Sequence, residues 1–280
     1  MNESRGSLLA RIAAWLELVR WKNGCLAAAS VFAAAFVATG SSPLRGPILA
    51  GAAVVFFVLS AGNALNDVFD AAIDRTNAPR RPIPSGRIRP ASAVAGSLGL
   101  FAAGNIAAAL FLPASLIPYP VVNSVLLVLY GRYSKRIMAL PNLTVAWLTA
   151  SVFLFTGAIV GIRNPNIAVL AAGAFLTTLA REIFKDIEDA PGDSLASART
   201  IPLSLGTGAA MALARAPLVP ALGLLVLPIA ARWTSVPYAF FGVPALAALA
   251  SGFFLRPPRA QRSLKLAMIF VLAAFIAGSL

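Results

Sequence analysis

A chain of 280 residues that is 59% hydrophobic, only 12% charged and carries a net charge of +13 lies outside the balance of soluble globular domains and reads as an integral membrane protein. It has no histidine and one cysteine, Cys25, which excludes histidine general bases, serine-histidine triads, histidine-ligated zinc and any internal disulfide, leaving carboxylates as the available metal ligands. Its basic residues are dispersed between apolar segments rather than gathered with aromatics, so no nucleic-acid surface is expected.

The pattern predicts an amphipathic helix over 7–21, with Leu8, Leu9, Ile12, Trp15, Leu16 and Val19 toward one side and Arg11, Glu17 and Arg20 among the polar positions. This segment, 1–22, is expected to lie at the bilayer interface with Trp15 and Trp21 near headgroup level, and no cleavable leader is expected. Nine spans follow, at 24–40, 46–65, 91–111, 115–133, 142–162, 165–184, 208–230, 235–255 and 262–280, each near the ~20 residues that cross a bilayer core. A cytoplasmic N-terminus puts 19 of the 23 Lys and Arg residues on that side, against Arg45, Arg163 and Arg232 outside, with Arg215 unassigned. The positive-inside rule thus supports nine spans and a cytoplasmic N-terminus together. The expected fold class is an all-α polytopic membrane protein of the cell membrane, one domain over 1–280, with nine transmembrane helices around a central cavity.

Span two runs into NALNDVFDAAIDRTNAPRRPIPSGRIR at 63–89, and span six into REIFKDIEDAPGD at 181–193. The first carries Asp67, Asp70 and Asp74; the second carries Asp186, Asp189 and Asp193, each 119 positions after its counterpart. These six, with Glu182 and Glu188, are eight of the ten acidic residues in the chain. The matching register suggests a parallel repeat of span pairs, with cytoplasmic loops at 66–90 and 186–205.

On a helix, positions i, i+3 and i+7 share a face, so Asp67, Asp70 and Asp74 project together, with Asn63 and Asn66 adding neutral oxygen donors. The second trio begins the same way, although Pro191 and Gly192 predict a turn at Asp193. Facing carboxylates repel unless a cation sits among them, and a hard divalent ion with oxygen ligands meets that need. Magnesium shares a phosphate with only a few carboxylates, so the nearby Arg75, Arg80, Arg81, Lys135, Arg181 and Lys185 point to a bound diphosphate. The plain alternative for each cluster is solvated charge paired with neighbouring arginines. PRRPIPSGR reads either as a proline-stiffened connector or as a lid carrying arginines to the phosphates, and Tyr130 and Tyr133 as interfacial belt or site residues.

At these residues the chain resembles the UbiA superfamily of intramembrane prenyltransferases, whose signatures read here Asn66-Asp67-x-x-Asp70-x-x-x-Asp74 and Asp186-x-x-Asp189-x-x-x-Asp193. Within it, DRTNAPRRPIPSGRI, YSKRI, REIFKDIEDAPGD and TIPLSLG are most similar to the archaeal digeranylgeranylglyceryl phosphate synthases, which join geranylgeranyl diphosphate to geranylgeranylglyceryl phosphate in ether-lipid synthesis. Chlorophyll synthases share much of the RPIPSG and KDIEDxxGD wording, which keeps an aromatic or chlorin-like acceptor as the alternative.

The resemblance implies two Mg2+ ions held by Asn66, Asp67, Asp70, Asp186 and Asp189, supported by Asp74 and Asp193. It implies diphosphate binding by Arg75, Lys135, Arg181 and Lys185, with Asp67, Asp70, Asp186, Asp189 and Lys185 catalytic. Arg20, Asn23, Asn63, Tyr130 and Tyr133 are expected to border the substrates, and Arg81 and Arg132 to meet the acceptor's phosphate. The partners implied are membrane lipid, a prenyl diphosphate donor and a lipid-phosphate acceptor. A rival class, a cation-coupled membrane transporter, is disfavoured because transporter sites lie near the bilayer midplane, whereas these aspartates fall at span ends beside arginine-rich loops.

Overall fold

A computed structural model of the chain describes residues 2–134, 136–161, 163–195 and 198–280, with the side chains of 2–7, 77 and 195 outside the description. Its elements in chain order are α1 (Asn2–Leu18), α2 (Trp21–Thr39), α3 (Gly46–Phe69), α4 (Ala71–Asn77), α5 (Pro90–Phe111), α6 (Pro118–Tyr133), α7 (Leu140–Val160) and α8 (Pro165–Leu195). After α8 come α9 (Ile201–Leu205), α10 (Thr207–Arg215), α11 (Leu218–Ala230), α12 (Pro237–Ser251) and α13 (Pro257–Gly278). No strand occurs among the described residues.

Eight helices among the described residues are long and apolar enough to cross a bilayer, and the shorter apolar α12 falls on the eighth of the nine expected spans. In lipid the backbone must bond to itself, which is why apolar runs of this length fold as helices. The span expected at 208–230 is two helices, α10 and α11, with Ala216 and Pro217 between them in right-handed helical geometry. Pro217 lacks an N–H, so it interrupts the bonding without ending the span.

Two predicted loops are substantially helical. Span two continues to Phe69 and is followed by α4, leaving 78–89 as the loop proper, and α8 runs on to Leu195, well beyond the expected end at 184.

The chain packs as two units, residues 1–29 with 49–132 and residues 30–48 with 133–280. In the first, α3 receives its neighbours through small residues, the usual means of close helix approach in a membrane. A side chain at Gly62 of α3 would meet Leu127 of α6 at 2.6 Å, and one at Gly131 of α6 would meet Phe69 at 2.7 Å. The Ser97 hydroxyl of α5 donates to the carbonyl of Ala61 at 2.7 Å.

The N-terminal helix packs inward through a side other than that of its leucines. Ala14 and Leu18 are buried with Ala64, Ile83, Ile88 and Ala93, while Leu8, Leu9, Ile12 and Leu16 are exposed. Trp15, expected near headgroup level, is half-buried because Gly96 of α5 lets its ring lie on that helix, where a Cβ would approach within 2.6 Å. The small residues Ala14, Ala64 and Ala93 admit close contact, and the larger leucines and isoleucine remain on the outside.

In the second unit α8 is the central element, packed by α7, α10, α11 and α13, and α12 lies along α13. Phe184 of α8 is fully buried. The buried Tyr238 hydroxyl donates to the Leu225 carbonyl at 2.9 Å, and its ring meets Phe275 edge-on at 5.1 Å. The phenol thus enters an apolar interior with its polar tip satisfied.

Candidate active site

The first acidic trio lies where α3 passes into α4. The Asp70 N–H donates to the Asn66 carbonyl, the last bond of α3, and the Asp74 N–H to the Asp70 carbonyl, the first of α4, both at 2.9 Å, so the helix breaks at Asp70. Asp67 and Asp74 nevertheless come close enough to meet one cation. Asp67 and Asp74 are buried, at 3% and 6% exposure. Asp67 stands at the negative end of α3, which has no basic residue in its last turn, and Asp74 in the first turn of α4. Burial works against both charges and the α3 dipole against that of Asp67, so cations must come from elsewhere.

Two arginines supply them. Arg20 donates through Nη2 to Asp67 Oδ1 at 2.8 Å, and Arg81 places Nη1 2.6 Å from Asp74 Oδ2 and 3.7 Å from Asp67 Oδ1. The carboxylates answer in kind at Arg81: burial works against its guanidinium, but the hydrogen bond to Asp74 and the fields of Asp67, Asp74 and Asp70 outweigh this and hold it above its usual range. Arg20 has a left-handed backbone, φ 51°, an uncommon and strained conformation for a residue with a side chain. Asp70 accepts instead from Asn66 Nδ2 at 2.9 Å.

Other predicted residues of this unit take varied places. Asn63 spends its amide N–H on the carbonyl of Val19, at 3.3 Å, fastening the end of α1 to α3. Asn23 is exposed in the first turn of α2, and Arg75 and Arg80 are exposed on α4 and the following loop. Tyr130 is half-buried and Arg132 exposed at the end of α6, beside Gly131, whose missing side chain leaves room for Phe69 and the Asn66 backbone.

In the second unit Asp186, Asp189 and Asp193 all lie on α8, again at its C-terminal end. The turn predicted at Asp193 is not formed. Pro191 sits inside the helix, in its last turns, where the one backbone bond it removes is a small loss and the chain continues helically to Leu195. Asp186 is half-buried and accepts from Asn142 Nδ2 of α7 at 2.8 Å. Lys185 lies 4.0 Å from Asp189 in an exposed i, i+4 pair. Arg181 pairs with its neighbour Glu182, and Glu188 accepts from Gln261 of α13. Tyr133 is half-buried at the end of α6. Lys135 lies outside the described residues.

Sequence reasoning missed Asn142. It is 1% exposed, and its Oδ1 is buried with no hydrogen-bond partner. The available signal was one amide at the start of an otherwise apolar span, just after Pro141. Its partner is 44 residues away in sequence, which no local pattern reveals. Among the described residues no three acidic or cysteine side chains are gathered tightly enough to cage a metal ion by themselves. Chemically, each unit offers oxygen donors at the end of a long helix with arginine or lysine alongside, a combination suited to an anion carried with a hard cation.

The chain is 37% identical over 273 residues, 95% of its length and 99% of the relative's, to digeranylgeranylglyceryl phosphate synthase of Methanopyrus kandleri. Among solved structures it is similar to one described as giving structural and mechanistic insights into the biosynthesis of digeranylgeranylglyceryl phosphate synthase in membranes, with TM-score 0.81 and 30% identity, covering 96% of this chain and 98% of that one. The fold is also that of a UbiA homolog from Archaeoglobus fulgidus bound to GPP and Mg2+, with TM-score 0.74 and 15% identity, covering 94% and 98% of the two chains. The match to the UbiA prenyltransferase family spans residues 27–277, taking in both aspartate-bearing helices, and the chain, a multi-pass membrane protein, belongs to that family.

Proposed function

We propose that the protein transfers a geranylgeranyl group from geranylgeranyl diphosphate to geranylgeranylglyceryl phosphate, with Mg2+ as cofactor, in ether-lipid synthesis. The observation that carries this reading is the 37% identity, along nearly the whole chain, to an enzyme named for that product. Residues 1–280 act as one catalytic domain, since the family match runs through both units. The excess of Lys and Arg beside the two clusters supports a cytoplasmic N-terminus and cytoplasmic site.

The donor set suits Mg2+. It consists of carboxylate and amide oxygens, and it includes the unpartnered buried Oδ1 of Asn142 beside Asp186. Asn66, Asp67, Asp70, Asp186 and Asp189 are the ligands assigned, with Asp74 and Asp193 in support and two ions in all. When bound, the metal neutralises diphosphate charge and makes it a better leaving group.

The chain's own residues do the rest. Arg181 and Lys185, with Arg75 and Lys135, bind the diphosphate and stabilise charge developing on its departing oxygen, and Arg81, expected from the sequence at the acceptor's phosphate, is reassigned to the diphosphate because its guanidinium stands against Asp67 and Asp74. The bond between C1 and that oxygen breaks, its electron pair leaves with diphosphate, and the acceptor hydroxyl attacks the allylic C1 and releases its proton. Arg20, already on Asp67, keeps the carboxylate ionised and oriented. Arg132 meets the acceptor's phosphate, and Asn23, Asn63, Tyr130 and Tyr133 border the substrates. Apolar helices exclude the water that would otherwise capture the allylic cation.

An acceptor screen tests this reading. Purified protein with Mg2+ and geranylgeranyl diphosphate is expected to turn over geranylgeranylglyceryl phosphate and neither 4-hydroxybenzoate nor chlorophyllide. Turnover of an aromatic acceptor alone would move the protein to another branch of the family.

A further inference from the structure

Only two acidic residues lie outside the two aspartate-bearing segments, and one of them, Glu17, is joined to a residue 70 positions away. Its Oε2 accepts from Arg87 Nη1 at 2.7 Å. The other two nitrogens of the same guanidinium turn into the 78–89 loop: Nη2 donates to the Arg80 carbonyl at 2.6 Å, and Nε to Ser85 Oγ at 3.1 Å. Ser85 in turn donates through both its hydroxyl, at 2.7 Å, and its backbone N–H, at 3.0 Å, to the Arg81 carbonyl.

The carbonyls on both sides of Arg81 are thereby held, one by Arg87 directly and one through Ser85. The loop closes on itself around them. Gly86 takes a left-handed φ of 75° that a side chain would strain, and the Ile88 N–H donates to the Pro82 carbonyl at 3.0 Å. Ile83 and Ile88 are buried against Ala14 and Leu18 of α1. Of the two readings of PRRPIPSGR, these bonds favour the stiff connector over a free lid.

We propose that Glu17 and Arg87 form a clasp that positions Arg81 for the donor diphosphate, with α1 as the platform against which the loop is set. Arg87 and Glu17 are positioning residues and touch no substrate. All three guanidinium nitrogens of Arg87 have partners, and the hydrogen bond it donates to Glu17 raises its pKa above the usual range. This proposal rests on the diphosphate role given to Arg81 above.

Hydrogen exchange of the 78–89 segment and steady-state kinetics, both on full-length protein in detergent, test it with Glu17→Arg, Glu17→Gln and Arg87→Ala. The pair is exposed, so the expected effect of Glu17→Arg is modest, roughly two- to fivefold faster loop exchange and a similar rise in KM for geranylgeranyl diphosphate, with kcat within twofold of wild type. Glu17→Gln keeps an acceptor for Arg87 and stays near wild type in both; Arg87→Ala loses all three bonds and shows the larger changes. Unchanged loop exchange in Glu17→Arg overturns the clasp, and so does a fall in kcat with KM unmoved. Should the wild-type protein fail to turn over the donor, the functional reading fails, and loop exchange alone decides whether the clasp exists.

Discussion

Arg81 and Asp74 meet at 2.6 Å across the turn that follows α4, a guanidinium against a carboxylate that is almost wholly withdrawn from solvent. The same Nη1 lies 3.7 Å from Asp67, so one cation spans the first and third aspartates of the trio. Two buried carboxylates, one at the end of α3 and one on α4, thereby share a counter-charge, and it comes from the loop rather than from either helix.

Replacing Arg81 by alanine removes both that counter-charge and the donor proposed for the diphosphate. A hydrogen bond to a charged group contributes about 1.5–3 kcal/mol, so kcat/KM for the donor is expected to fall roughly 10- to 100-fold. Arg81→Lys retains the charge without the fork and is expected to fall between alanine and wild type. Steady-state kinetics across donor concentrations checks both.

Asn142→Leu fills the same space with an apolar side chain and deprives Asp186 of its donor. Residues that orient a ligating carboxylate typically cost ~10- to 100-fold when replaced, and a loss of that size in activity or Mg2+ affinity is expected. An unchanged Mg2+ dependence would separate Asn142 from the metal.

Gly62→Val brings a branched side chain into a position where even a Cβ stands 2.6 Å from Leu127. Overpacking of this kind costs about 1–3 kcal/mol, and thermal unfolding in detergent is expected to occur at lower temperature. Gly99, which has open space at the same point, is expected to tolerate alanine with little change.

Much of this was legible in the sequence because bilayer thickness imposes a length and lipid imposes a helix. The apolar runs therefore gave spans close to those observed, including 46–65 against Gly46–Phe69 and 91–111 against Pro90–Phe111. The place of the aspartates at helix ends was legible from the same runs, but the break at Asp70 between α3 and α4 was not, since neither proline nor glycine marks it. Pro191 misled the reading of Asp193, because a proline near a helix end removes a single bond and the chain can continue past it. Asn142, Glu17 and Arg87 were not legible as site elements. Each acts through a partner 44 or 70 residues away, and only packing brings such pairs together. The inner side of α1, where small Ala14 meets Ala64 and Ala93, was not legible either, since alanines carry little pattern of their own.

The central claim is that the two aspartate-bearing helices serve one chemical step, and a double-mutant cycle on Asp67 and Asp186 tests it most directly. With Mg2+, geranylgeranyl diphosphate and geranylgeranylglyceryl phosphate, Asp67→Asn and Asp186→Asn are each expected to lower kcat/KM by ~10²-fold or more. The double variant is expected to lose little beyond either single one, as for groups that act as a unit. Independent, multiplying losses, or a wild-type rate in either single variant, would contradict it.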